Sequence, residues 1–133
     1  MKKLIIILII VMFLAGYEPP LLSQTKNEAD TEICETFKYA LINSLREPID
    51  KAIHEIYKDD ENAPKNLMWA PYNTELLNIR QLHGVGGSYE IKLEIKPYYR
   101  AHITYGEDIV VISTDGTLIS YEHLKTYPRV DFN

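Results

Sequence analysis

The sequence predicts an α+β domain in which one long, proline-broken helix packs on an antiparallel meander of about four strands. Three observations predict it: an apolar stripe of helical period interrupted by Pro48, an alternating run at residues 89–96, and a β-branched run closed by Asp115-Gly116.

The first segment sets the route rather than the fold. Lys2-Lys3 followed by twelve apolar residues, 4–15, has the charged and apolar regions of a secretory signal and is short for a membrane span. Residues 1–16 are therefore expected to be a signal peptide and the product to be secreted or extracytoplasmic. Cutting after Ala15 or Gly16 leaves Phe13 or Leu14 where a small residue is wanted, which keeps an uncleaved N-terminal anchor open as the alternative. A membrane contact is expected only in that case. Tyr17 stands where a lipidated cysteine would be needed, so no lipid anchor is expected.

Residues 17–26, with Pro19-Pro20 and no periodic pattern, read as a linker, and a single domain is expected over 27–125. Asn27 or Asp30 can cap a helix whose first turn is acidic, and apolar positions recur at Ile33, Phe37, Ala40, Leu41, Leu45, Ile49, Ala52, Ile53 and Ile56. Pro48 lacks a donor and clashes with the turn before it, so the pattern predicts a kink or two helices with Pro48 in the first turn of the second. His54 reads as a solvated helix residue. Cys34, the only cysteine, reads as a partly buried side chain, with an intermolecular disulfide or a redox thiol as the sharper alternative, the latter without a Cys-x-x-Cys to support it.

The acidic run Asp59-Asp60-Glu61 lacks the alternating ligands and glycine of a calcium loop and reads as solvated. Trp69 is expected to plug the end of the core with its N–H satisfied. Residues 76–82 form a first strand with imperfect alternation, and the glycine-rich stretch 83–88 turns the chain without the features of a phosphate cradle. The next run places Tyr89, Ile91, Leu93 and Ile95 on one face and Glu90, Lys92, Glu94 and Lys96 on the other, a half-buried strand ended by Pro97. In the last hairpin, a two-residue type I′ turn at Asp115-Gly116 pairs Ile112 with Ile119, Val110 with Tyr121 and Asp108 with His123. The helix stripe then covers Ile91, Leu93, Ile95, Val110, Ile112, Ile119 and Tyr121. A second strip, Ile109, Val111 and Leu118, remains for a homodimer or a partner to cover. Residues 126–133 read as a polar, fraying tail.

The chain has a formal charge of −5, and loss of residues 1–16 removes two lysines and no acid. No Lys/Arg cluster remains, which argues against nucleic acid and against an anionic membrane as partners.

Candidate site residues follow from the register. Asp108 faces His123, and His102 precedes Asp108 in the loop feeding its strand. His102, Asp108 and His123 are expected to converge at one end of the sheet, with Tyr105 and Glu122 nearby. Three readings of this cluster compete: a structural hydrogen-bond network, a metal or ligand site with zinc as the suited ion, and a His-Asp hydrolase. No paired-ligand spacing supports the metal, and no nucleophile elbow supports the hydrolase. Tyr98, Tyr99 and Arg100, with Tyr105, form a candidate aromatic platform for cell-wall glycan.

The segment Leu77-x-Ile79-x-x-Leu82-x-Gly84, the run Ala101-His102-x-x-Tyr105-Gly106-x-Asp108 and the closing Tyr121-Glu122-His123 carry a resemblance, together with the signal and Pro48. The chain resembles a family of small, exported, uncharacterised proteins of spore-forming Gram-positive bacteria, the domain of unknown function numbered 3888. The likeness covers about residues 33–123. A His-Asn pair expected of that family is here His102-Ile103. The resemblance implies a secreted context and no chemistry. In outline the domain is also like the cystatins and the nuclear-transport-factor-like cones, which host many functions. The function expected is an exported, non-enzymatic binding or interaction module with an unknown protein or cell-wall partner and no cofactor. The alternative is a metal-binding protein or metal-dependent enzyme at the His/Asp cluster.

Overall fold

The computed structural model describes residues 28–130, with side chains from Thr31 onward. The expected signal peptide and linker lie outside the described residues. The chain divides into two units, Met1–Cys34 and Glu35–Asn133. Only the opening turns of the first helix are described in the first unit. The second carries everything that follows.

Of the two outcomes expected at Pro48, the chain takes the second, two helices: α1, Glu28–Ser44, and α2, Arg46–Tyr57. Leu45 stands between them at φ −95, ψ 17, and Pro48 is the third residue of α2. The first-turn amides of a helix have no intrahelical acceptor, so a missing donor costs nothing there. The buried face runs through Ile42, Leu45, Pro48, Ile49, Ala52, Ile53 and Tyr57. The stripe expected from the sequence is thus correct from Leu45 onward and displaced before it. Ile33 and Phe37 are exposed, at 51% and 70%, while Ile42 is wholly buried. Cys34 is exposed rather than partly buried.

The main sheet has the order β1-β2-β5-β6, all antiparallel, from β1 (Thr74–Gln81), β2 (Tyr89–Ile95), β5 (Gly106–Ser113) and β6 (Leu118–Thr126). Between β2 and β5 the chain forms a small ribbon, β3 (Tyr98–Tyr99) with β4 (Ile103–Thr104). The fold is α+β with a four-stranded antiparallel sheet, as the patterning predicts. Ile91, Leu93 and Ile95 from β2 and Val110 and Ile112 from β5 are 0–1% exposed and face the helix. A bulge at Leu77 explains the imperfect alternation of β1. Leu76 and Ile79, three apart, both reach the face of their partners Leu93 and Ile91.

The last hairpin differs from expectation at its turn. Gly116 N–H donates to Ser113 O at 2.9 Å, and Ser113 N–H to Thr117 O at 2.8 Å. Gly116, at φ +85, has positive φ, and Asp115 does not. This is a three-residue loop, a type I turn completed by a glycine in the left-handed region, and not the two-residue type I′ turn. The extra loop residue shifts pairing by one place, so Ile112 faces Leu118 instead of Ile119. A bulge then extrudes Ile119 and restores the register: Val110 faces Tyr121 and Asp108 faces His123, as expected. The two departures cancel before the site is reached.

Two packing expectations are corrected as a result. Ile119 and Tyr121 are each 45% exposed and outside the core. Leu118, opposite Ile112, packs against the core, which removes it from the second apolar strip. Ile109 and Val111 are half-buried.

The stretch after Lys125 is held rather than frayed as far as Val130. Thr126 ends β6, Tyr127 N–H donates to Tyr105 O at 2.7 Å, and Val130 N–H to the Tyr99 hydroxyl at 2.8 Å. Trp69 is 6% exposed and its indole N–H donates to Asp50 Oδ1 at 2.6 Å. The Arg46 guanidinium lies 4.9 Å from the centroid of the same ring. His54 is exposed on α2, as expected.

Candidate functional site

Asp108 organises one end of the sheet. Alternation along β5 turns it to the helix face, and it is wholly buried. The Tyr57 hydroxyl donates to its Oδ2 at 2.8 Å, and His123 Nδ1 lies 2.6 Å from its Oδ1. Tyr57 reaches this point because it lies one helical repeat beyond Ile53 on the buried face of α2. Gly106 makes the room. A Cβ there would lie 1.8 Å from the Tyr57 hydroxyl oxygen, so any side chain at that position would displace the phenol.

His123 is held at three points. Nδ1 meets Asp108, the ring packs edge-on against Tyr57 at 5.5 Å, and Nε2 lies 2.8 Å from Thr126 Oγ1. Side chains three apart on a regular strand point to opposite faces. A second bulge, extruding Leu124, sets Glu107 opposite Lys125 and Gly106 opposite Thr126, and so brings Thr126 onto the face of His123.

Beside this chain of contacts runs a second one. Tyr105 is 1% exposed and donates its hydroxyl to Asp60 Oδ2 at 2.6 Å. Its ring packs against Tyr57 at 5.5 Å and Tyr99 at 6.2 Å. Among the described residues every buried side-chain polar atom has a partner.

Electrostatics follow from burial and these bonds. Burial pushes the Asp108 carboxyl up, against the downward pull of its bonds to His123 and Tyr57. Burial and the neighbouring Asp108 carboxylate push the Tyr57 phenol well above its ordinary range. Tyr105 is pushed up to about 12 by burial and then by Asp60. The Tyr105 hydrogen bond in turn lowers the Asp60 carboxyl.

Two open grooves flank the Asp60–Tyr105 pair. One of about 470 Å³ lies between α2 and the loop after it, lined by Asp50, Ile53, Tyr57, Lys58, Asp60, Pro64, Lys65 and Leu67 among others. The second, also about 470 Å³, is lined by Asp60, Asn62, Tyr105, Thr126, Tyr127, Pro128 and Arg129.

Asp108 and His123 come together as the register predicts, with Tyr105 in the adjoining aromatic cluster. His102 does not join them. Its Nδ1 lies 3.0 Å from the Tyr72 hydroxyl and its ring packs on Tyr98 at 4.7 Å. His102 and Arg100 take φ values of 62 and 49 in the tight turn joining β3 to β4, and this turn sets the direction of the His102 side chain. Glu122 pairs with Ile109 and alternates to the opposite side from His123.

The three-residue metal set is therefore not assembled. Among the described residues no three His, Cys, Asp or Glu side chains are placed to hold a metal ion. Both Asp108 oxygens are engaged by Tyr57 and His123. Of the candidate aromatic platform, Tyr98, Tyr99 and Tyr105 are 9%, 4% and 1% exposed, and Arg100 is its exposed member.

Sequence reasoning missed Tyr57, Asp60, Gly106 and Thr126. Only Tyr57 carried a readable signal, its spacing of four from Ile53. The other three depend on a bulge, a close approach and a long-range hydroxyl contact.

Across known proteins, no curated protein and no solved structure is significantly similar to the chain. A family model described as a protein of unknown function, DUF3888, matches residues 37–125, most of the described residues including Tyr57, Asp108 and His123, and the chain belongs to that family.

Proposed function

We propose that the chain is an exported binding module that takes a peptide-like segment of a protein or cell-wall partner into the groove between α2 and the loop after it. Export rests on Lys2-Lys3 and the apolar run behind them, and fits a secreted role in spore-forming Gram-positive bacteria. One observation carries the binding part: an open groove of about 470 Å³ beside a network whose buried polar atoms are all satisfied. Such a floor is rigid before a ligand arrives, so little ordering cost is left to binding. Its walls combine apolar Ile53, Pro64 and Leu67 with both signs of charge, Asp50 and Asp60 against Lys58 and Lys65. That mixture complements a peptide better than a polyanion or a bare glycan.

The test is a titration of the isotope-labelled exported chain with solubilised peptidoglycan fragments that keep their stem peptides, followed by amide chemical shifts. Shifts centred on Ile53, Asp60 and Leu67 that disappear in Leu67→Glu support the reading. Binding that maps to β1, or that survives Leu67→Glu unchanged, refutes the groove. An intact signal on chain recovered from the culture medium refutes processing by export.

A further inference from the structure

The end of β6 holds more than a binding site needs. Three groups stand in line: Asp108 Oδ1 is 2.6 Å from His123 Nδ1, and His123 Nε2 is 2.8 Å from Thr126 Oγ1. The carboxylate is wholly buried, its second oxygen is held by Tyr57, and Thr126 is among the residues lining an open groove of about 470 Å³. An activated hydroxyl is recognised by this geometry: a hydroxyl within reach of an imidazole, and the imidazole oriented by a buried acceptor. Each member is placed by a separate device. Gly106 admits the Tyr57 hydroxyl that fixes Asp108, and the bulge at Leu124 turns Thr126 toward His123.

From this geometry we infer that Thr126 is an acyl-accepting nucleophile, with His123 as its general base and Asp108 as the residue that positions the imidazole, acting on ester or thioester carbonyls that enter the groove. This goes beyond binding and departs from the non-enzymatic expectation, which rested on the lack of a nucleophile at any recognisable spacing. Thr126 directly follows the family-matched span, so the inference concerns this chain's own residue.

With Asp108 accepting from Tyr57 and from Nδ1–H, Nε2 is left to accept the Thr126 proton. Oγ1 then attacks the carbonyl carbon and its proton passes to Nε2. The bond to the leaving oxygen or sulfur breaks, and that atom takes the proton from Nε2. Water then attacks the ester left on Thr126 and gives one proton to Nε2; the bond between the carbonyl carbon and Oγ1 breaks, the acid leaves, and Oγ1 takes that proton from Nε2. No oxidant or further reactant is required. Asn62 and Arg129 line the same groove as side chains able to donate to the developing oxyanion.

The experiment treats the full-length chain, purified in mild detergent, with p-nitrophenyl acetate. Nitrophenolate release is followed together with peptide mapping by mass spectrometry, because lysines also react with this ester. One acetyl group on the peptide containing Thr126 is expected. Thr126→Val, with no hydroxyl, should not carry it, and its formation should be faster than in His123→Gln by about 100-fold, the low end of what general-base assistance supplies. Thr126→Ser should restore the adduct, and His123→Gln should keep a native circular dichroism spectrum. Acetylation confined to lysines, or an unchanged rate in Thr126→Val, overturns the inference and leaves the His123–Thr126 bond as a staple at the strand end. If His123→Gln does not fold, the Thr126→Val and Thr126→Ser pair decides alone. Groove binding of peptidoglycan fragments is measured separately and does not depend on this result.

Discussion

Replacing Gly106 by alanine inserts one methyl group where the structure leaves no space. The new Cβ would stand 1.8 Å from the Tyr57 hydroxyl oxygen, 2.9 Å from Tyr57 Cζ and 3.2 Å from the Lys125 carbonyl oxygen. The carbonyl contact can be relieved by a small shift, but the hydroxyl contact cannot, so Tyr57 must leave Asp108. Overpacking of this kind costs about 1–3 kcal/mol. A buried hydrogen bond to a charged group contributes about 1.5–3 kcal/mol. Gly106→Ala should therefore destabilise by about 2.5–6 kcal/mol, a large share of the roughly 5–15 kcal/mol that holds a domain folded.

Urea unfolding of Gly106→Ala, Tyr57→Leu and the double variant separates this cause from a general dislike of alanine at that position. Tyr57→Leu removes both clashing atoms and alone costs about 2–4 kcal/mol through the lost bond and the cavity. With no hydroxyl to displace, adding Gly106→Ala to it should cost less than about 1 kcal/mol. Additivity of the two single effects within about 0.5 kcal/mol would refute the reasoning, since it would mean that the methyl group and the phenol do not compete for one space.

Three further outcomes follow from the same contacts. Tyr105 keeps its proton in the native state from the ordinary phenol value of 10.0 up to about 12, so its contribution to stability is complete below pH 10.0 and is lost as the pH rises toward 12; urea midpoints measured across that window should fall more steeply in the wild type than in Tyr105→Phe, and parallel curves would contradict this. Asp50→Ala leaves the buried Trp69 N–H without its acceptor and should cost about 1–3 kcal/mol with a shift in tryptophan emission, read without ambiguity because the chain has one tryptophan; unchanged emission and midpoint would contradict it. Arg100→Gly relieves a left-handed backbone at φ 49 that Arg100→Ala keeps, and since both lose the arginine side chain, the glycine variant should be the more stable by about 1 kcal/mol; equal urea midpoints would contradict this.

The sheet was legible wherever a local rule decided the structure. Residues 89–95 alternate without error and form β2, while Pro48 placed a helix boundary because its lost donor is harmless only in a first turn. The site was legible in half. Asp108 and His123 face each other as expected, though the turn and the bulge each depart from the simplest hairpin and compensate one another. Bulges leave little trace in a single sequence, so Thr126 could not be placed on the face of His123 by counting. His102 was misplaced for a similar reason: its direction is set by two positive φ angles in the turn between β3 and β4, which neither Arg100 nor His102 advertises. The exposure of Ile33 and Phe37 on α1 shows the limit of periodicity, which identifies an apolar face without saying what covers it.

Buried Asp108 fixes the tautomer and direction of the His123 imidazole. Long-range proton–nitrogen correlation spectra of the histidine rings measure this directly. Neutral His123 is expected to carry its proton on Nδ1, with Nε2 an acceptor, and Asp108→Asn to change this pattern while leaving His54 and His83 as they are. A His123 ring protonated on Nε2, or a spectrum indifferent to Asp108→Asn, would contradict it.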